Sequence, residues 1–295
     1  MNPVKLKYLL RITLSMFFIS IFSIGGCDID FGGTGDNGGS GSGSITGDII
    51  IEGQILNFAD FGTITVTATE NNFRLDRDTT DELGNFRLQF RSSSNEVTLE
   101  FEADSFDAER PNIRVVGNST TILDITLQQN PTLISIDRWQ VFQDTISLLN
   151  DTVLDFVESI VEFNIEGNGG NCMFAGGTSS ITYQVKSINI IDCREGIRAQ
   201  TQGSITLLAD ESIVILSDQD TIITLDDSSV EIGQTTNPIN NTVTITSTNQ
   251  FGINAAGNSV VTINPENECS ISGGREAVND FASGTVSTST CTLSL

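Results

Sequence analysis

Short apolar runs recur in this chain at an interval of 25 residues, and that interval restricts the fold more than any other feature. Ile188 and Ile213, Ile197 and Ile222, and Ile205 and Val230 are each 25 positions apart. The runs around them are Ile188 to Ile191, Ile197, Ile205 to Leu207, Ile213 to Leu216, Ile222 to Leu225 and Val230 to Ile232. Val243 to Ile245 and Val260 to Ile263 follow, and three or four polar residues usually separate one run from the next. Period-two alternation and β-branched content mark them as strands. Ile205, Leu207, Ile213, Ile215, Val230 and Ile232 then face inward, and Thr206, Val214 and Glu231 outward. Three strands per interval predict a chain that coils and stacks on itself, with the repeat decaying after Gly233. The connectors Ala-Asp-Glu-Ser, Ser-Asp-Gln-Asp and Asp-Asp-Ser-Ser lack the Asn-Gly or Asp-Gly of tight hairpins. Strands spaced about 8 to 12 residues apart suit a second antiparallel β-sandwich as an alternative.

The coiled pattern resembles a right-handed parallel β-helix, which implies coils stacked about 4.8 Å apart over residues 131–295. Ahead of the coils, Trp139, Phe142, Ile146, Leu149, Val153, Phe156, Val157 and Ile160 recur every three or four residues between Ser135 and Phe163. That is a helical period, and it predicts one amphipathic helix covering the end of the β-rich core. Four cysteines fall in the same region. Cys172 and Cys193 are 21 apart and Cys269 and Cys291 are 22 apart, each close to one coil, so each pair is expected on adjacent turns within disulfide reach. The alternative, ligation of a metal by four thiolates, lacks any Cys-x-x-Cys spacing.

Residues 45–128 carry a different pattern. Ile49-Ile50-Ile51, Ile64-Thr65-Val66-Thr67, Phe86 to Phe90, Val97 to Phe101 and Ile122 to Leu127 alternate apolar and polar residues and break at turn formers. In Thr79-Thr80-Asp81-Glu82-Leu83-Gly84-Asn85-Phe86-Arg87-Leu88, the stretch Asp81 to Gly84 supplies turn chemistry, and Phe86, Leu88 and Phe90 share one face of the strand that follows. With Gly53-Gln54-Ile55 upstream and the closing Leu-Asp-Ile-Thr-Leu strand, this segment resembles the carboxypeptidase regulatory-like domain. The resemblance implies a transthyretin-like seven-stranded β-sandwich used as a spacer or adhesion module without catalysis. Asp60-Phe61-Gly62-Thr63 stands where that family has a proline-containing loop. The whole chain is thus expected to be all-β, a sandwich followed by a β-helix-like domain.

The first 27 residues read as an address. Lys5, Lys7 and Arg11 precede an apolar run from Ile12 to Ile24, too short to span a bilayer comfortably, and Ile24-Gly25-Gly26-Cys27 closes it. This resembles a bacterial lipoprotein signal, residues 1–26, cleaved before Cys27. The resemblance implies a diacylglycerol thioether and an acylated amino group on Cys27, and hence an exported protein anchored to the cell membrane or outer membrane. Several acyl chains at about 0.8 kcal/mol per buried methylene hold a protein firmly at a lipid surface. Asp28 to Ser44, a Gly/Ser-rich run of 17 residues, follows as a flexible tether with an end-to-end distance of about 20 to 25 Å.

Without residues 1–26 the chain holds 11 Lys+Arg against 38 Asp+Glu, a net charge of about −27. That balance excludes nucleic acid as a main partner, because a phosphate backbone needs clustered cations. The sequence contains no histidine, which removes the Ser-His-Asp triad, the usual general base and the commonest zinc ligand. Asp76, Asp78, Asp81 and Glu82 form the densest acidic cluster and are candidate calcium ligands, although their glycine does not fall where an EF-hand needs it. Proteins with β-helices often resemble polysaccharide lyases or hydrolases. Arg194, Arg198 and Arg275 with Asp218, Asp220, Asp226 and Asp227 are the candidates for that chemistry. Their ordinary role is to form charged turns. The expectation is a non-catalytic envelope lipoprotein with a structural, adhesion or binding role toward polysaccharide or surface proteins, with a calcium-assisted polysaccharide-active enzyme as the alternative.

Overall fold

The computed structural model describes residues 47–92, 94–103, 106–107, 111–129, 132–149, 151–235, 241–265, 267–288 and 291–295. The leader, Cys27 and the Gly/Ser-rich run lie outside them. The described residues are almost entirely β-strand, with a single short 3-10 turn at Phe58–Asp60.

The N-terminal region is built on two sheets. In β1 (Asp48–Ile55), Ile49, Ile51, Gly53 and Ile55 are buried and Asp48 and Glu52 exposed, the alternation of a strand with one wet face. The remaining strands here are β2 (Thr65–Glu70), β3 (Phe73–Thr79), β4 (Asn85–Arg91), β5 (Glu96–Ala103), β6 (Phe106–Asp107), β7 (Asn112–Arg114) and β8 (Ser119–Gln129). β1 pairs antiparallel with β4 and parallel with β8, while β3, β2, β5 and β6 form the second sheet, with β7 also on β5. Asn71 and Asn72, with φ of 50° and 65°, make the tight β2–β3 hairpin, since asparagine tolerates the left-handed region. Phe86 lies across from Gly53 and meets Phe101 of β5 edge to face at 6.3 Å, joining the two sheets. A side chain at Gly53 would fall 2.2 Å from the Phe86 ring, so glycine makes this approach possible.

β9 (Thr132–Gln143) pairs antiparallel with β8, and its last residues, Gln140 to Gln143, pair parallel with Glu162 to Ile165. From there the ladder is parallel throughout: β10 (Ile146–Leu148), β11 (Val153–Glu166), β12 (Asn171–Gly176), β13 (Ser180–Cys193), β14 (Glu195–Gln200), β15 (Ser204–Ser217), β16 (Ile222–Leu225), β17 (Ser229–Gln234), β18 (Thr242–Ser247), β19 (Phe251–Ala256), β20 (Val260–Asn264), β21 (Cys269–Gly273), β22 (Glu276–Phe281), β23 (Thr285–Thr288) and β24 (Cys291–Ser294). This is a β-solenoid of about six turns over residues 140–294. Each coil contributes three strands. β11, β13 and β15 run through the first corner as single bent strands; in β15, Ser204 to Ala209 pair with β17 and Ser212 to Ser217 with β18. β10, β12, β14, β16, β19 and β22 form the third face.

The three 25-residue pairs of the sequence are register partners: Ile188 with Ile213, Ile197 with Ile222, and Ile205 with Val230. The expected inward residues are all buried. The repeat does not decay after Gly233. Ser229 pairs with Val260, 31 residues on, so one coil is longer than the others, and Val260 then pairs with Thr285 at 25 again. Nor is there a helix between Ser135 and Phe163: the segment is β9, β10 and most of β11. The apolar residues buried there are Trp139, Val141, Ile146, Leu148, Leu154, Phe156, Val161 and Phe163, mostly at period two, whereas Leu149, Val153, Val157 and Ile160 of the supposed helical stripe are exposed. Breaks in the ladder at residues 144–145 and at 149 and 151–152, and an irregularity between Glu158 and Glu162, shift the alternation, and the shifts add up to a false period near 3.6.

Cys172 is bonded to Cys193 and Cys269 to Cys291, the pairing that the spacing predicts. Aromatic residues fill the first coils, where Tyr183 stacks on Phe163 at 4.1 Å with Phe156 at 5.8 Å; Ile, Val and Ala fill the later ones. The Tyr183 hydroxyl is buried with no hydrogen-bond partner among the described residues, and burial pushes its pKa upward.

Candidate binding face and the polar corners of the solenoid

The β2 strand alternates threonine with apolar residues: Val66 and Ala68 enter the core, and Thr65, Thr67 and Thr69 line the opposite face. Across from Thr67 stand Arg77 on β3 and Glu100 on β5, and across from Thr69 stand Arg74 and Thr98. Long side chains on the outer strands rise past short hydroxyls on the middle one, leaving a cavity of about 340 Å³ lined by Thr67, Thr69, Asn72, Arg74, Arg77, Glu100 and Glu102. Thr67 and Thr69 are each only 8% exposed, although they point away from the core. Thr69 donates to the Thr98 carbonyl at 3.4 Å, and Arg77 pairs with Glu102 at 3.3 Å. Arg74 has no acceptor among the described residues. The other nine described cations are all engaged: Arg87, Arg91, Arg114, Arg138, Lys186 and Arg198 with carboxylates, Arg77 as above, Arg194 with Asn171 and Arg275 over the Phe251 ring at 5.0 Å.

The acidic cluster serves the sheet edges. Asp78 accepts the Arg87 amide and Asp76 the Gln89 amide, both at 2.7 Å, so carboxylates on β3 occupy the open edge of β4 where another strand would otherwise pair. Asp81 accepts the Leu83 and Asn85 amides and the Asn85 side-chain amide, and these bonds hold its carboxyl below the usual range, the Asn85 side chain foremost. Glu82 is exposed in the same turn. Among the described residues no three acidic, cysteine or histidine groups converge as metal ligands, these four included. Cys27 lies outside the described residues.

The solenoid candidates sit at its corners. Both Asp220 oxygens are engaged, one by the Phe251 amide at 3.0 Å and the other by Asn254 Nδ2 at 2.8 Å, which ties one coil to the next. Asp218 joins the corner through its backbone, and Asp226 and Asp227 take φ of 55° and 61° at the far end of β16. The two aspartate pairs therefore flank opposite ends of one strand. Arg198 projects from β14 and is held by Gln200 and Glu195 at 3.2 and 3.4 Å. The structure does not gather these residues at one point. Sequence reasoning missed the cavity on β2, β3 and β5. Its legible signal was the Thr65-Val66-Thr67-Ala68-Thr69 alternation, but which cations would overhang those hydroxyls depended on strand order.

No protein-family model matches this chain, and no curated protein and no solved structure is significantly similar to it.

Proposed function

We propose that this chain is a non-catalytic lipoprotein of the cell envelope, held at a membrane through acylated Cys27 and a Gly/Ser-rich tether, with a structural, adhesion or binding role. In this reading the N-terminal region is a carboxypeptidase regulatory-like sandwich acting as a spacer, and the solenoid is a right-handed β-helix that presents its outer faces to polysaccharide or to surface proteins. The observation that carries it is the hydrogen-bonded path β4-β1-β8-β9-β11-β13-β15-β17-β20-β23, which runs through both regions without a break. A tether followed by one stiff body suits a protein that displays a surface at a distance from lipid. Engagement of Asp220 and Arg275 at corners, and of Arg198 with Glu195 and Gln200 of its own strand, favours scaffold over catalyst.

Two measurements test this. The full chain expressed in a bacterial host partitions with membranes, and Cys27→Ser moves it to the soluble fraction; wild type found soluble would remove the anchor. Incubated with a panel of extracellular polysaccharides, the chain is retained without releasing products. New reducing or unsaturated ends, lost in Asp220→Asn, would make it an enzyme.

A further inference from the structure

We infer that the concave face of β2, β3 and β5 binds the uronic-acid residues of an acidic polysaccharide, with Arg74 receiving the carboxylate. The inference deepens the binding role proposed above and rests on it. Its starting point is charge. In a chain with 38 acidic residues and 14 cations, an arginine whose side chain has no partner is out of place, and among the described cations only Arg74 is in that position: Arg194 bonds Asn171, Arg275 lies over Phe251, and the rest pair with carboxylates. It also lines the cavity. A guanidinium offers a planar fork of donors, matched to a carboxylate by two parallel hydrogen bonds.

The rest of the wall narrows the ligand further. Glu100 and Glu102 line the opposite side, so a polyanion carrying sulfate or phosphate at every position would meet like charge there. A ligand with one negative charge at one end and hydroxyl donors at the other meets complementary groups at both. Thr67 and Thr69 on the floor, with Asn72 at the hairpin, add short donors and acceptors between the two charged walls. By strand spacing, Arg74 and Glu100 lie two strands and one alternation step apart, about 12 Å between Cα atoms, a gap that a pyranose ring bridges once both side chains reach inward. The cavity of about 340 Å³ is at the small end for ligand sites, which suits one sugar residue of a chain running across an open face.

The test is affinity electrophoresis and titration calorimetry of the full chain in detergent with oligogalacturonate, beside a neutral galactan of similar length, at low and moderate salt. Wild type is expected to bind the uronate at least about tenfold more tightly than the neutral chain, with binding weakened by salt. Arg74→Gln is expected to lose about tenfold or more, Arg74→Lys to recover part of it, and Thr67→Val to lose severalfold. The Arg74 side chain makes no hydrogen bond or ion pair with the described residues, so the variants should fold as wild type, which circular dichroism verifies. Equal binding by wild type and Arg74→Gln, or no wild-type preference for uronate, overturns this site. Retention on a neutral glycan that Arg74→Gln does not alter would do so while leaving the wider binding role standing. Failure to be retained on any glycan would count against both.

Discussion

The two regions of this protein solve the problem of strand edges in opposite ways. In the N-terminal region the ladders are mostly antiparallel and short, and the exposed edge of β4 is covered by side chains, with Asp76 and Asp78 accepting the amides that a further strand would have bonded. In the solenoid each coil is covered by the next, and carboxylates work at the corners instead, as Asp220 does between one coil and its neighbour. The same residue type thus terminates pairing in one region and propagates it in the other. What decides is geometry: an aspartate beside a free edge ends a sheet, and an aspartate at a bend bonds the backbone of the following rung.

That contrast can be broken by experiment. The largest effect is expected from Phe163→Ala, which empties a fully buried site stacked on Tyr183 and should cost about 3–5 kcal/mol. Because one sheet runs through both regions, hydrogen exchange should show β1 and β13 losing protection together. Loss confined to the solenoid would establish two independent units. Next, Cys269→Ser with Cys291→Ser removes a cross-link over 22 residues, worth about 3 kcal/mol in the chain-entropy account. Exchange should quicken in β23 and β24 and stay unchanged in β1 to β8.

Asp220→Ala strands the Phe251 amide and the Asn254 side chain, and a loss of about 1–3 kcal/mol in denaturant titration is expected. The equivalent change at the β4 edge, Asp78→Ala, should cost less, since water reaches that amide. A larger loss at Asp78 than at Asp220 would reverse the comparison.

Alkali provides a milder probe. Tyr183 is neutral and buried, and its folded pKa lies above the unfolded value near 10, so stability is complete below about pH 10 and falls by about 1.4 kcal/mol per pH unit above it. In a Tyr8→Phe background Tyr183 is the only tyrosine, and tyrosinate absorbance should rise only with unfolding. A titration completed before unfolding would show that the ring is not enclosed. The smallest effect concerns Glu162, whose bonds to Gln140 and then Lys186 hold its carboxyl below the usual range. That contribution is present above the unfolded pKa near 4.3 and disappears as pH falls through the lower folded value; for a pair this exposed it amounts to less than about 1 kcal/mol. Glu162→Gln should erase the acid-side difference in melting temperature.

Much of the solenoid was legible because its signals are local and repeated. Ile205, Val230 and their neighbours report burial at period two, and the near-coil spacing of the cysteines reports which rungs touch. The helix expected over Ser135 to Phe163 failed where corners break the alternation, and one long coil hid the period, since Ser229 meets its partner Val260 only 31 residues on. Another repeat was present but unread. Ser179, Gly203, Ser228 and Ser259 stack at one corner; Ser228 donates to the Ala199 carbonyl and Ser259 to the Thr224 carbonyl, while a side-chain carbon at Gly203 would lie 2.2 Å from the Ala175 carbonyl oxygen. Only glycine or a small donor fits there, a rule visible in the sequence once the register is known. The cavity on β2, β3 and β5 showed in the sequence only as a row of threonines and was missed, because Arg74 reaches it through the β2–β3 pairing, which no single strand announces.

The disulfides near the two ends of the solenoid have a mechanical consequence. Hydrogen bonds between parallel coils run along the axis of the stack, so tension along that axis peels rungs one at a time, beginning at an end, where a rung has a neighbour on one side only. Cys269–Cys291 joins the last two rungs covalently and Cys172–Cys193 does the same beside the N-terminal region. A pull that would unzip the coil therefore meets a bond it cannot peel, and the load passes into the unbroken sheet behind it.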